Sequence, residues 1–112
     1  MFSIDGTDIT LTRGDTFITL VSIYKDGKAY TLDQADIVEF SMRKKQKLPD
    51  GDGYPKKIII SKTVPNETLL LRIDANETKG LKTGEYIYNI RLKSEGQVDT
   101  FIEGEFVITA EA

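Results

Sequence analysis

Carboxylates are the main reactive groups this sequence could use. The 112 residues include no histidine and no cysteine. That removes the commonest general base near neutral pH, thiolate nucleophiles, thiolate metal ligands and disulfides. The chain has 18 Asp and Glu and five Tyr. The acidic residues fall mostly at turns and on the polar sides of alternating segments. None has neighbours of the kind that raise a carboxyl pKa for acid–base work, so no catalytic residues are expected. Asp50-Gly51-Asp52-Gly53 resembles the start of an oxygen-ligand loop for Ca²⁺, but the twelfth position counted from Asp50 is Ser61, where a bidentate Glu is required. A flexible turn is the better reading, and no metal or other cofactor is expected.

Three further groupings could recognise a partner. Arg13-Gly14-Asp15 is the tripeptide that adhesion proteins offer to integrins. Here it lies between two extended stretches, where Gly14 supplies a bend and Asp15 suits a turn. A basic cluster, Arg43, Lys44, Lys45, Lys47, Lys56 and Lys57, brackets a long polar loop. It could meet an acidic surface, although its ordinary role is to keep a sheet edge soluble. Tyr54 is its only aromatic, so it offers no stacking platform for single strands, and nucleic acid is disfavoured. Asn66-Glu67-Thr68 and Asn76-Glu77-Thr78 match the glycosylation pattern. The N-terminus, MFSIDGTDIT, lacks a basic start and an apolar core, so no secretory signal is expected and both sites read as turn chemistry.

Extended segments must position these groups. Hydrophobic residues make up 39% and charged residues 29%, the balance of a globular chain, and the net charge is −3. No apolar run approaches the ~20 residues of a membrane helix. Period-two alternation prevails. Ile9 and Leu11 mark a first strand, and Phe17, Thr19, Val21 and Ile23 one face of a second. Asp26-Gly27 predicts a hairpin, with a short edge strand over 29–32. Asp33 to Asp36 reads as a tight corner. Val38, Phe40 and Met42 follow on the next strand, 57–64 on another, and Leu69, Leu71 and Ile73 on a third. One helical turn is expected over 74–81, anchored by Leu81. Tyr86, Tyr88, Ile90 and Leu92 line one face of the next strand. Val98, Ile102, Phe106 and Ile108 line the last, where Gly104 predicts a bulge or a close backbone approach.

Seven to eight strands with regular turn signals predict one all-β domain over residues 1–112. The expected architecture is an antiparallel β-sandwich with Ig-like topology. A Cys-Trp-Cys core is excluded, because both residue types are absent. With Phe17, Val21 and Ile23 inward, Ile18, Leu20 and Tyr24 face outward on the same strand. Ile87, Phe101 and Val107 are expected outward elsewhere. A contiguous patch built on Ile18, Leu20 and Tyr24 would mark a protein–protein interface; a one-residue slip in parity, or a bulge, would dissolve it.

The order of these elements carries a resemblance. The stretch "ITLTRGDTFITLVSIYKDGKAYTLDQADIVEFSMRKK" is similar to the start of the Ig-like domain of phage baseplate upper proteins and related tailed-phage virion proteins. "LRIDANETKGLKTGEYIYNIRLKSEGQVDTFIEGEFVIT" resembles that family's second half. The motifs are turn signals, specific for fold more than for role, and they transfer no catalytic residue. The resemblance implies a non-enzymatic virion structural protein of a phage or prophage, made in the bacterial host cytoplasm, that docks onto other virion proteins as a tail or baseplate module. Self-association into a homo-oligomer is compatible with it; a membrane partner is not expected. Such domains are often joined to a fibre or receptor-binding region. The chain stops at Ala112, which favours an adaptor, a decoration protein or a separately encoded module over a host-receptor binder. A head decoration protein on the same fold is the alternative, as is a glycan- or peptide-binding module. The last would need converging aromatics, which Tyr30, Tyr54, Tyr86 and Tyr88 do not obviously supply.

Overall fold

The computed structural model of the protein describes residues 2–5, 7–25, 27–45 and 57–111. Within them, alternation in the sequence becomes ten strands and one short helix. The strands are β1 (Phe2–Asp5), β2 (Asp8–Thr12), β3 (Phe17–Leu20), β4 (Tyr24–Lys25), β5 (Lys28–Ala29), β6 (Ile37–Lys44), β7 (Ile60–Val64), β8 (Leu70–Ile73), β9 (Gly84–Ser94) and β10 (Gln97–Thr109). The helix, α1 (Ala75–Lys79), sits between β8 and β9. Asp74 and Glu77 form its capping box, which satisfies backbone N–H groups that a helix start leaves without partners.

The strands form a two-layer, all-β sandwich. The large sheet runs β1-β2-β10-β9-β6-β7, the small sheet pairs β3 with β8, and β4 and β5 make a separate ribbon. With β3 and β8 in the places of strands B and E, and β6, β9 and β10 in those of C, F and G, the strand neighbours are those of an immunoglobulin-type sandwich. The expected antiparallel β-sandwich is present, with one parallel pair among its strands. β2 runs parallel to β10, pairing Ile9 with Phe106 and Leu11 with Ile108. An N-terminal strand that alternation alone does not reveal extends the sheet on the far side of β2. β1 pairs antiparallel with β2, and β2 meets β10 on its other side.

The core fills the space between the layers. Phe17, Phe40, Tyr88 and Phe106 stand at its centre with ring centroids 5.5 to 6.4 Å apart. Phe106 meets Phe17, Phe40 and Tyr88 edge to face, a geometry that suits the aromatic quadrupole. These rings do the packing that a Trp against a disulfide does in antibody domains. Ile9, Leu11, Val21, Ile23, Val38, Met42, Leu71, Ile73, Leu81, Ile90, Leu92 and Ile108 complete it, all buried. The Tyr86 hydroxyl donates to the Lys82 carbonyl at 2.6 Å, which ties the start of β9 to the chain just upstream.

Two expectations along β10 change. Val98 is 52% exposed, because the β9–β10 hairpin runs past the edge of the core there. Phe101 does not simply face outward. The β9–β10 register shifts between Thr100 and Ile102, and Phe101 and Ile102 both pack against the core. Gly104 marks a close approach, as expected: a Cβ there would overlap the Thr7 carbonyl and stand 3.0 Å from the Tyr88 ring. The Tyr88 hydroxyl donates to that same carbonyl.

Candidate functional site

Arg13-Gly14-Asp15 is built into the fold. Gly14 has φ +89°, a left-handed conformation that favours glycine. Its N–H donates to the Thr78 hydroxyl at 3.0 Å, and that hydroxyl faces the Asp15 carbonyl at 2.9 Å. Thr78 projects from α1 and is buried. The Arg13 N–H donates to the Thr109 carbonyl, and the Asp15 N–H to that of Thr12. The Arg13 guanidinium lies 3.5 Å from the Glu111 carboxylate. The tripeptide is thus a bend locked between α1 and the end of β10.

One carboxylate departs from the solvated picture. Asp36 is 1% exposed, at the corner before β6. Its Oδ2 accepts the Tyr30 hydroxyl at 2.9 Å and the Asp33 N–H at 3.1 Å. The Asn66 amide donates to the carbonyls of Asp36 at 2.6 Å and Asp33 at 3.2 Å, bridging this corner to the turn before β8. The hydrogen bond to Asp36 raises the Tyr30 pKa, which makes the phenol a persistent donor and a poor nucleophile. The cluster fastens two turns together. Its burial is not legible locally, because it depends in part on Asn66, 30 residues away.

The outer face of the large sheet carries a depression of about 430 Å³, lined by Ser41, Arg43, Lys45, Asn89, Glu103 and Glu105 among others. Some of its polar groups are paired, while the buried Nε of Arg43 has no hydrogen-bond partner among the described residues. Ser41 donates to Asn89 at 2.8 Å, and Lys45 pairs with Glu105 and, at 3.7 Å, with Glu85. This is where part of the basic cluster resides. Arg43 is half-buried, Lys44 and Lys57 are exposed, and Lys45 is engaged by the two glutamates. Lys47, Lys56, Tyr54 and Asp50 to Gly53 lie outside the described residues. No cluster of three or more acidic residues able to hold a metal ion occurs among the described residues.

Among the described residues, Tyr86 and Tyr88 are core residues and Tyr30 is half-buried on Asp36, so these three do not form an exposed aromatic platform. Burial pushes the Tyr88 hydroxyl up to about 12 and raises that of Tyr86.

The outward apolar residues do assemble, in part. Ile18 is 38% exposed and Leu20 69%. They share the outer face of the β3–β8 sheet with Leu70, which stands directly opposite Leu20. Tyr24, 64% exposed, sits on the separate β4–β5 ribbon, paired with Ala29. Leu70 is an addition to the patch expected from parity. Its outward direction is legible from Leu69 and Leu71, but its position beside Leu20 depends on the pairing of two distant strands.

Among known proteins, the chain matches no family model and no curated sequence. No helix among the described residues is long and apolar enough to cross a membrane.

Proposed function

We propose that this protein is a non-enzymatic structural component of a phage or prophage virion, a tail or baseplate module that works by docking onto other virion subunits. The observation that carries the reading is the outer face of the β3–β8 sheet. Ile18, Leu20 and Leu70 stand together there, on a layer only two strands wide. Grouped apolar side chains of this kind gain from being covered by a partner. The resemblance of the strand order and turn motifs to phage Ig-like domains supplies the biological setting. The locked Arg-Gly-Asp bend and the Ser41–Asn89 and Lys45–Glu105 pairs on the large sheet favour a rigid scaffold over a catalyst.

The test is particle incorporation. Leu20→Asp places a charge in the centre of the patch without touching the core. The expected result is loss of the variant from assembled particles while the purified protein stays folded. Incorporation equal to that of the unsubstituted chain refutes docking through this face, and absence of both chains from particles refutes the virion reading. Labelling the chain in intact particles then separates a tail position from a head decoration.

A further inference from the structure

We propose that the free edge of β3 pairs antiparallel with β3 of a second copy of this chain, joining two small sheets into one of four strands. The idea rests on the docking reading only in treating the β3 face as a contact surface, and it specifies how that surface is used.

The backbone groups of β3 point alternately toward β8 and away from it. The Val21 N–H donates to the Leu69 carbonyl at 2.8 Å, so Val21 directs its polar groups toward β8. Alternation along a strand puts those of Thr19 and Phe17 on the same side and turns those of Ile18 and Leu20 the other way. β3 has no strand neighbour on that other side among the described residues. The gap between the layers there is open, as a groove of about 140 Å³ lined by Thr7, Ile9, Thr19, Leu20, Leu71 and Ile102 among others.

Sheet edges are ordinarily protected by charge, proline or a bulge. Among the described strands, β3 alone contains no charged residue. The neutral run extends from Thr16 to Tyr24. The opposite edge of the same small sheet is guarded. There Arg72 turns its backbone groups outward, and its side chain is held to Asp74 at 2.6 Å. One edge is open and one is closed, so the sheet can grow by one pairing and then stop. That is what closed twofold association requires.

A twofold axis repeats every edge charge close by on the second copy, where like charges repel. β3 tolerates this because it has none. Centring the axis on Thr19 sets Ile18 opposite Leu20 of the second copy, and the reverse. Both are edge-facing residues, so the two pairs exchange four backbone hydrogen bonds. On the outer face, Leu70, Leu20 and Ile18 from each copy then form one continuous apolar strip. Arg72 stays clear of its mate, because β8 and its counterpart are three strand spacings, about 14 Å, apart.

Sedimentation equilibrium on the purified full chain from about 1 µM to about 1 mM provides the test. The expected result is a monomer–dimer equilibrium that Leu20→Lys weakens at least about tenfold, in keeping with the use of lysine as an edge guard. The far-ultraviolet circular dichroism of the variant should be unchanged, since Leu20 is exposed. Amide exchange gives an independent readout. Ile18 and Leu20 amides should gain protection as concentration rises, while the Val21 amide is protected throughout. A chain that stays monomeric across the range overturns the proposal and leaves the edge to a strand of another protein. Growth beyond dimers, or a dimer in which the Ile18 and Leu20 amides exchange freely, overturns it as well. Failure here with normal particle incorporation rejects self-pairing alone; a chain that dimerises as described but is absent from purified particles rejects the virion reading alone.

Discussion

Thr78→Val removes one hydroxyl from the fold and keeps the shape of the side chain. That hydroxyl accepts the Gly14 N–H at 3.0 Å and faces the carbonyls of Asp15 at 2.9 Å and Ala75 at 3.0 Å. Its single proton serves one carbonyl at a time. The substitution therefore costs one donated bond and leaves the Gly14 N–H without its acceptor. A lost bond is worth about 1 kcal/mol, and a stranded donor at a half-buried position adds about as much, so the expected loss is about 2 kcal/mol. For a domain of this size that lowers Tm by about 8 °C. Urea unfolding followed by circular dichroism measures the change, with an unaltered m value showing that the unfolded state is the same. The Gly14 amide should also lose exchange protection, and Thr78→Ser, which keeps the hydroxyl, should restore it. If Thr78→Val matches the parent chain within about 0.5 kcal/mol and Gly14 stays protected, the Arg-Gly-Asp bend is not held as described.

Other consequences follow from the packing and the buried phenols. Gly104→Ala should destabilise by about 3 kcal/mol in urea unfolding, because the new methyl group meets the Thr7 backbone and cannot be relieved by a side-chain rotation. Phe106→Ala should cost about 4 kcal/mol by the same assay, since it removes a buried ring that contacts three others. Raised folded-state values for Tyr30, Tyr86 and Tyr88 mean that the native state keeps protons that the unfolded chain releases. The associated stability is complete below the ordinary tyrosine value near pH 10 and is lost as pH rises from there toward about 12, the value for Tyr88. Unfolding measured across that range should show the decline, and Tyr88→Phe should flatten part of it.

What can be read from the sequence is whatever depends on local alternation. Val38, Phe40 and Met42 on β6, and Tyr86, Tyr88, Ile90 and Leu92 on β9, are buried as their spacing dictates. The helical turn before β9 and its anchor Leu81 are in place for the same reason. Gly14 and Gly104 are special positions, as expected, because the absence of a Cβ is a property of the residue itself. The missing parts depend on partners far along the chain. β1 and the parallel β2–β10 pairing are settled by which strands meet, which alternation does not encode. The Phe101 bulge shows itself only in the register with β9. Asp36 looks like one more turn carboxylate until Tyr30 and Asn66 close around it. The candidate surface follows the same division. Ile18 and Leu20 are found by parity, Leu70 joins them through β3–β8 pairing, and Tyr24 goes to a separate ribbon.

Cryo-electron microscopy of tailed particles from a host that carries this chain tests the central claim most directly. The prediction is density for the two-layer domain in the tail or baseplate, with Ile18, Leu20 and Leu70 covered by an adjoining subunit. Purified particles that lack the chain, or that display it with this face open to solvent, would contradict the account.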